Sequence, residues 1–142
     1  VAVGGGVSGV CGDAAATALL TPWLEEVGTA VATDEAMFDA VTAISGSGPG
    51  MLAYVIEAFE EAAKAVGFDD ADATRLAVMT FAGTGRYLAE TGESATALRE
   101  RVTSPGGTTA AGIAALEAAG LPEAMRSAAL AARDRGTELR SA

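Results

Sequence analysis

The residues best suited to chemistry lie in one short stretch, TSPGGTT at residues 103–109. It combines four hydroxyl side chains and two adjacent glycines, and it directly precedes an apolar pattern that predicts a helix. The first amides of a helix have no partner inside the helix, and the helix dipole adds positive potential at that end. Such a terminus binds carboxylates and phosphates. A capping loop without a ligand needs fewer glycines and hydroxyls, so we favour a binding site for a small anion.

A second glycine-rich stretch, SGSGPG at residues 45–50, separates two predicted helices. An ordinary interhelical turn with Ser47 as the cap of the next helix would explain it. Alternatively, its glycines allow the backbone to approach a ligand closely, because no Cβ stands in the way. Spacing alone does not decide between these two interpretations.

Gly4, Gly6 and Gly9 match the G-x-G-x-x-G pattern of dinucleotide-binding loops. That pattern requires a preceding strand and a helix that opens at the third glycine. Only VAV precedes it here, and residues 10–12 separate Gly9 from the next predicted helix. We therefore interpret it as a glycine-rich strand or turn rather than a phosphate loop. Cys11 has no nearby basic residue and is interpreted as a small buried hydrophobic residue.

Composition excludes several classes of function. The chain has no histidine, which removes Ser-His-Asp and Cys-His catalysis and the usual zinc sites. We predict no metal site, and interpret the acidic residues 57–72 as solvated surface. The net charge of −10 argues against nucleic acid. A single cysteine allows no internal disulfide and fits the cytoplasm, and no apolar run reaches the length of a membrane span.

The elements that must position these stretches are mostly helices. Residues 1–33 predict strand, helix, strand, with Asp13 as the helix cap and Gly28 as the helix end. Beyond them, apolar residues at helical spacing predict helices over residues 34–44, 51–66, about 70–91, 94–102, 108–119 and 121 onward. Asp34, Asp69 or Asp70, and Ser94 are the expected caps, and Gly67 and Gly120 the expected stops. Gly83 and Gly85 within one helix predict a close backbone contact.

The two glycine-rich stretches also carry a resemblance. VTAISGSGP at residues 41–49, followed by VTSPGGTT at residues 102–109, resembles the pyrroline-5-carboxylate reductases. The segment RERVTSPGGTTAAGIAALEAAGLPEAM at residues 99–125 is similar to the signature region of that family. Either short motif alone is weak, but the ordered pair in a helical chain is specific.

The resemblance implies a fold and an activity. These enzymes reduce 1-pyrroline-5-carboxylate to L-proline with NADPH or NADH. Residues 1–33 would be the C-terminal end of a Rossmann domain, and residues 34–142 an all-helical dimerisation and substrate-binding domain. The partner would be a second copy in an interlocked homodimer, and such dimers often form rings. The main nucleotide site would lie upstream, so the 142 residues alone are not expected to bind NADPH tightly or to turn over.

The resemblance also assigns site residues. Thr109 would hydrogen-bond the ring nitrogen of the substrate and pass it a proton, and it is the catalytic residue. The substrate carboxylate would be held by Ser104, Gly106, Gly107, Thr108 and Thr109. The nicotinamide and ribose would be lined by Ser45, Gly46, Ser47 and Gly48. Gly50, Met51 and Ala110 depart from the usual residues of the family, which affects local packing rather than chemistry.

Two other functions compete with the reductase. One is a stand-alone helical dimerisation module that binds proline or another small carboxylate without catalysis. The other is a different imine or 3-hydroxyacid dehydrogenase built from a Rossmann and a helical domain. The missing histidine speaks against the hydroxyacid enzyme, which usually needs a base.

Overall fold

A β-α-β unit opens the part of the chain that the computed structural model describes, residues 5–141. Strands β1 (Gly6–Val10) and β2 (Gly28–Ala32) pair in parallel, with Gly6 opposite Gly28 and Val10 opposite Ala32. Parallel neighbours need a crossover connection. Helix α1 (Ala14–Glu25) provides it. The β-α-β prediction is confirmed.

Glycine is required where the two strands approach each other. A Cβ built on Gly28 would lie 1.9 Å from the Gly6 carbonyl oxygen, and one on Gly9 would lie 2.9 Å from Val41 Cγ1. Gly6 and Gly9 both lie in β1, which confirms their interpretation as part of a glycine-rich strand. Gly4, the first glycine of the pattern, lies outside the described residues. Cys11, just after β1, is half-buried rather than fully buried.

Helix α1 begins as predicted but ends earlier. The Asp13 carboxylate accepts hydrogen bonds from the amides of Ala15 and Ala16, each at 3.0 Å. Gly28 was predicted to end the helix, and this was wrong because Gly28 already pairs with Gly6 in the sheet. The helix ends at Glu25.

The remainder of the described chain is helical, which confirms the mostly α fold. A 3₁₀ turn (Glu35–Met37), helix α2 (Phe38–Val41) and a π-helix (Thr42–Gly46) come first. Five longer helices follow: α3 (Gly48–Ala65), α4 (Asp70–Thr91), α5 (Ala95–Val102), α6 (Thr108–Ala118) and α7 (Leu121–Arg140).

Helix caps explain most of these boundaries. Asp69 Oδ1 accepts from the Asp72 amide at 2.9 Å, and Ser94 Oγ accepts from the Ala97 amide at 3.1 Å, as predicted. Gly67 follows the end of α3 with φ +111°, a conformation that suits glycine. Asp34 was predicted to cap an α-helix through Ile44. That prediction was wrong, because its side chain makes no capping hydrogen bond and a 3₁₀ turn follows.

The chain divides into two compact units. One contains the described residues up to Pro49 together with those from Arg126 onward, and the other runs from Gly50 to Met125. In the second unit, Phe59 and Phe81 pack edge to face with ring centroids 5.6 Å apart. The predicted domain boundary at residues 33/34 stays a prediction, because compact units need not coincide with domains.

Large apolar side chains are poorly covered. Within residues 5–141, the fully buried hydrophobic residues are all alanines, at positions 43, 73 and 77, whereas Trp23, Tyr54 and Val66 are 74%, 73% and 77% exposed. The contact predicted at Gly83 and Gly85 does not occur within the described chain, because a Cβ at either position would meet no atom within 4 Å. No helix of this part of the chain is long and apolar enough to cross a membrane.

Candidate functional site

The stretch at residues 103–107 is a tight loop between α5 and α6. Thr103 Oγ1 donates to the Arg99 carbonyl at 2.5 Å and closes the end of α5. The Gly107 amide donates to the Ser104 carbonyl at 3.0 Å, which makes residues 104–107 a turn. Gly106 has φ +70°, in the left-handed region that favours glycine. The glycine-rich stretch at residues 103–107 is therefore a true loop, as predicted.

Gly107 is required by close packing inside this turn. A Cβ on Gly107 would lie 2.5 Å from Ser104 Oγ and 3.1 Å from the Ser104 carbonyl oxygen. The backbone carbonyl cannot rotate away as a flexible side chain would. A side chain at residue 107 would therefore displace the Ser104 hydroxyl and push the Ser104 carbonyl by a few tenths of an ångström, and a branched side chain would strain the turn further.

The start of α6 presents free hydrogen-bond donors. Gly107 precedes the helix and its carbonyl accepts from the Ala111 amide at 3.1 Å, but no side chain caps the helix. Within the described residues, the amides of Thr108 and Thr109 donate to no protein acceptor. Both threonines and Ser104 are exposed, so these donors face solvent. The structure brings the predicted carboxylate-binding residues together in an arrangement that suits a small anion.

Sequence reasoning missed three residues beside this loop. Arg101 donates from Nε to Glu93 Oε1 at 3.2 Å and from Nη2 to Glu93 Oε2 at 2.8 Å. Its Nη2 also donates to the Tyr87 hydroxyl at 2.9 Å, and its guanidinium carbon lies 5.6 Å from the Tyr87 ring centroid. The hydrogen bond from Arg101, then that with Tyr87, lowers the pKa of Glu93. The eight-residue separation between Glu93 and Arg101 spans two elements and matches no helical pairing rule.

At the other glycine-rich stretch, the helix boundaries predicted at residues 44 and 51 were wrong, because no loop of that length separates the helices there. Ser45 and Gly46 belong to the π-helix, and α3 starts at Gly48 after Ser47 alone. The Ser47 amide donates to the Thr42 carbonyl at 2.8 Å, five residues back. Gly46 lies in the π-helix and Gly48 and Gly50 lie in α3, so these glycines do not break the helical path. Single π turns inside helical segments occur frequently at functional sites.

Ser45 uses its hydroxyl inside this segment. Its Oγ donates to the Val41 carbonyl at 2.9 Å, so it is already engaged with protein. Gly48 is buried, and a Cβ there would meet no atom within 4 Å. The backbone around Gly48 thus leaves room that a side chain would fill. The segment and the loop at residues 103–109 belong to different compact units.

A long-range contact in the first unit supports the π-helix. Asp39 Oδ2 accepts from Thr137 Oγ1 at 2.8 Å and pairs with Arg140 Nη2 at 2.9 Å, and its side chain is only 17% exposed. The contact ties α7 to α2, which directly precedes the π-helix. Nothing in local spacing could have indicated it, because Asp39 and Thr137 lie 98 residues apart.

A cavity of about 350 Å³ lies beside α5 and α6. Its walls contain Thr103 and Ala110 but none of the predicted carboxylate-binding residues. Its remaining lining residues are Arg99, Glu100, Ile113, Ala114 and Glu117. We therefore do not place the anion site in this cavity.

The acidic residues between Glu57 and Asp72 are exposed except for Glu60, which is half-buried, and Lys64 pairs with two of them. Lys64 Nζ lies 3.0 Å from Glu61 Oε1 and 2.9 Å from Asp70 Oδ1. The hydrogen bonds to Asp70 and then Glu61 raise the pKa of Lys64. No group of three or more potential metal ligands occurs among residues 5–141.

Fold and site together define a class: a mostly helical domain that follows a β-α-β unit and has a glycine-rich, uncapped helix start with exposed hydroxyl groups. A family model described as "Pyrroline-5-carboxylate reductase dimerisation" matches residues 35–139. The chain belongs to this family.

Individual relatives agree with the family match. The pyrroline-5-carboxylate reductase of Synechocystis sp. is 43% identical over 113 residues, and that of Methanosarcina acetivorans is 44% identical over 113 residues. In both cases the match covers 80% of this chain and 42% of the relative. The chain thus spans less than half the length of these two proteins.

Solved structures share the fold. A pyrroline-5-carboxylate reductase from Coxiella burnetii superposes with a TM-score of 0.89 at 34% identity, over 96% of this chain and 53% of that one. A Plasmodium falciparum pyrroline carboxylate reductase with NADP bound gives a TM-score of 0.82 at 25% identity, over 94% of this chain and 53% of that one.

Proposed function

We propose that the protein carrying this chain is an NAD(P)H-dependent oxidoreductase that reduces 1-pyrroline-5-carboxylate to L-proline, the last step of proline biosynthesis, in the cytoplasm. The family match over residues 35–139 and the relatives named above support this activity. The observation that carries it is the exposed start of α6, where the amides of Thr108 and Thr109 have no protein acceptor among the described residues.

Ser104, Gly106, Gly107, Thr108 and Thr109 hold the substrate carboxylate in this proposal. The free amides at the start of α6 and the positive end of its dipole favour a negative group. Gly106 and Gly107 allow the turn that brings Ser104 next to these amides. A carboxylate bound there fixes one end of the small substrate ring.

Thr109 is the proposed catalytic residue. NADPH or NADH, lined by residues 45–48 and held mainly by preceding sequence, would supply the hydride that reduces the imine carbon of the substrate. A protonated imine is already electrophilic, so the chain mainly has to hold and orient it. The Thr109 hydroxyl lies in the first turn of α6 and is exposed, which allows it to hydrogen-bond the ring nitrogen and to relay to it a proton taken from solvent. Such a step needs no histidine.

Ser45, Gly46, Ser47 and Gly48 line the nicotinamide and ribose in this proposal. The Plasmodium falciparum structure with NADP bound supports a nicotinamide cofactor for the family. The main nucleotide site is proposed to lie in preceding sequence, with residues 1–33 as the end of a Rossmann domain.

The proposed assembly is a homodimer through the helical domain of residues 34–142, with rings of dimers as a further step. The family description and the exposed large hydrophobic residues support it. Apolar surface of this extent is usually covered by a partner. Sedimentation of the chain checks it, since a monomer at micromolar concentration would contradict the proposal.

The activity is tested with the protein encoded by the complete gene. NADPH oxidation is followed by the absorbance of the dihydronicotinamide, with and without pyrroline-5-carboxylate. We expect oxidation only when this substrate is present. Thr74→Ala, which removes a threonine from the exposed surface of α4, is the matched control for Thr109→Ala.

The competing function predicts a different result. A non-catalytic module would bind L-proline but show no NADPH oxidation even as the complete protein. The exposed donors of α6 are compatible with this alternative, because they could bind a carboxylate without a nucleotide. Absence of both turnover and proline binding would contradict both functions.

A further inference from the structure

Helix α5 carries the loop at residues 103–107 but is only eight residues long. A helix of two turns is marginal on its own, because nucleation costs more than so few hydrogen bonds return. Its start is fixed by the Ser94 cap, whose Oγ accepts from the Ala97 amide at 3.1 Å. Its C-terminal end, where the loop begins, needs another anchor.

Arg101, in the last turn of α5, provides that anchor. We use "the Arg101 clamp" for Tyr87, Glu93 and Arg101 with the contacts described above. Two nitrogens of the guanidinium meet the two oxygens of Glu93, and the second also meets the Tyr87 hydroxyl. A planar guanidinium in this bidentate arrangement fixes orientation as well as distance. The clamp therefore ties the end of α5 to the end of α4 and to the connection between them.

The clamp has a local rather than a global consequence. Isolated surface ion pairs contribute little to the free energy of unfolding, and the Arg101 side chain is 54% exposed. The bidentate contact between the Arg101 guanidinium and the Glu93 carboxylate, called the fork below, sets the direction in which α5 ends. Thr103, two residues further on, already begins the loop and bonds back to Arg99. A shift of the α5 end is therefore passed to Ser104 and the turn that follows.

We infer that Arg101 is a positioning residue: through Glu93 and Tyr87 it holds the loop at residues 103–107 in the conformation that presents the donors of α6. The inference rests on the proposed function only for the identity of the ligand at the start of α6. Arg101 makes no contact with the substrate in this scheme. It acts through the backbone of α5.

The test compares two arginines of the same helix. Arg101→Met removes the fork, whereas Arg99→Met removes an arginine whose ion pair is with neighbouring Glu100 at 3.8 Å. Backbone order parameters of Gly106 and Gly107 are measured by NMR relaxation in the 142-residue chain. We expect order parameters of about 0.85 in the parent and in Arg99→Met, and of less than about 0.6 in Arg101→Met. Equal order in all three chains would overturn the inference.

Two further variants separate the fork from simple charge. Arg101→Lys keeps the charge but cannot form the bidentate contact, so the loop should stay as mobile as in Arg101→Met. Glu93→Gln keeps the shape and removes the carboxylate charge, so it should loosen the loop without threatening the helix. A lysine variant with parent-like order would contradict the role of the fork.

L-Proline titration separates this inference from the proposed function. If the site is as proposed, Arg101→Met should raise the Kd for proline by about tenfold, while Arg99→Met should change it less than about twofold. If the parent chain binds no proline, the proposed function fails, and the order parameters still decide whether the clamp holds the loop. Unchanged proline affinity in Arg101→Met, with a parent that binds, would refute the positioning role.

Discussion

The two glycine-rich segments of this chain treat their backbone groups in opposite ways. Residues 103–107 leave the helical path, with Gly106 at φ +70° and the first amides of α6 unpaired within the described chain. Residues 45–48 stay close to the helical path, with a π turn and with the Ser45 hydroxyl bonded to the Val41 carbonyl. Similar composition therefore produces an open set of donors in one place and an internally bonded turn in the other.

Proline placement explains much of the difference. Pro105 follows Ser104, and because the residue before a proline is disfavoured in the helical region, a helix ends at or before that residue, as α5 does at Val102. Pro49 is the second residue of α3, where its missing amide would have had no helical partner anyway. One proline thus ends a helical path and the other is accommodated at the beginning of a helix. Only the first segment suits the binding of an anion through amides.

Removing the proposed proton donor should have the largest effect. Thr109→Ala is expected to lower kcat of the complete protein by about 100-fold, a typical size for loss of a positioned proton-transfer group. Thr109→Ser keeps a hydroxyl and should retain most of the rate. Steady-state kinetics at saturating pyrroline-5-carboxylate measures both. An unchanged kcat in Thr109→Ala would remove its catalytic role.

Closing the turn at Gly107 should have the next largest effect. In Gly107→Val the new side chain meets Ser104 Oγ and its carbonyl oxygen, so the turn opens and the KM for substrate should rise by at least about tenfold. Gly112→Ala is the matched control on the same helix, because a Cβ at Gly112 meets no atom within 4 Å. Equal KM values for the two variants would show that the turn does not hold the substrate.

A pair of alanine substitutions compares the segments directly. Gly106→Ala places a side chain at positive φ and should lower the free energy of unfolding by about 1–2 kcal/mol. In Gly46→Ala the new Cβ lies 3.3 Å from Thr42 Cγ2, a mild crowding that the better helix propensity of alanine offsets, for a net change within about 0.5 kcal/mol. Urea unfolding of both chains measures this. The reverse order would contradict the contrast drawn between loop and π turn.

Acid should loosen the loop at residues 103–107 before it affects the π-helix. Because Arg101 lowers the pKa of Glu93 in the folded chain, its contribution to stability is present above the pKa of an unfolded glutamate. That contribution is lost as the pH falls through the lowered folded pKa. Amide signals of residues 103–107 should therefore broaden below the usual range of a glutamate carboxyl, and earlier than those of residues 42–46. In Glu93→Gln this difference should disappear.

Local signals in the sequence were sufficient to predict much of the fold and the loop at residues 103–107. Asp13, Asp69 and Ser94 were recognised as caps because capping depends on near neighbours, and all three accept the expected amides. Residues 104–109 were predicted to form an exposed helix start because that feature depends on a few consecutive residues. The individual roles of these residues stay predictions.

Features that depend on distant or non-standard geometry escaped sequence reasoning. The π-helix has no signature in spacing, since glycine and serine suggest a break whether or not the chain makes one. The Arg101 clamp joins residues eight and fourteen positions apart across two elements, and Asp39 meets Thr137 only in the folded chain. Such contacts are set by packing, which a reading of one sequence does not provide.

An amide NMR titration of the 142-residue chain with L-proline tests the central claim most directly. The account predicts saturable shifts at Gly106, Thr108 and Thr109, with residues 42–48 unmoved. Shifts confined to any other part of the chain, or none at Thr108 and Thr109 while proline binds, would show that the start of α6 is not where the carboxylate is held.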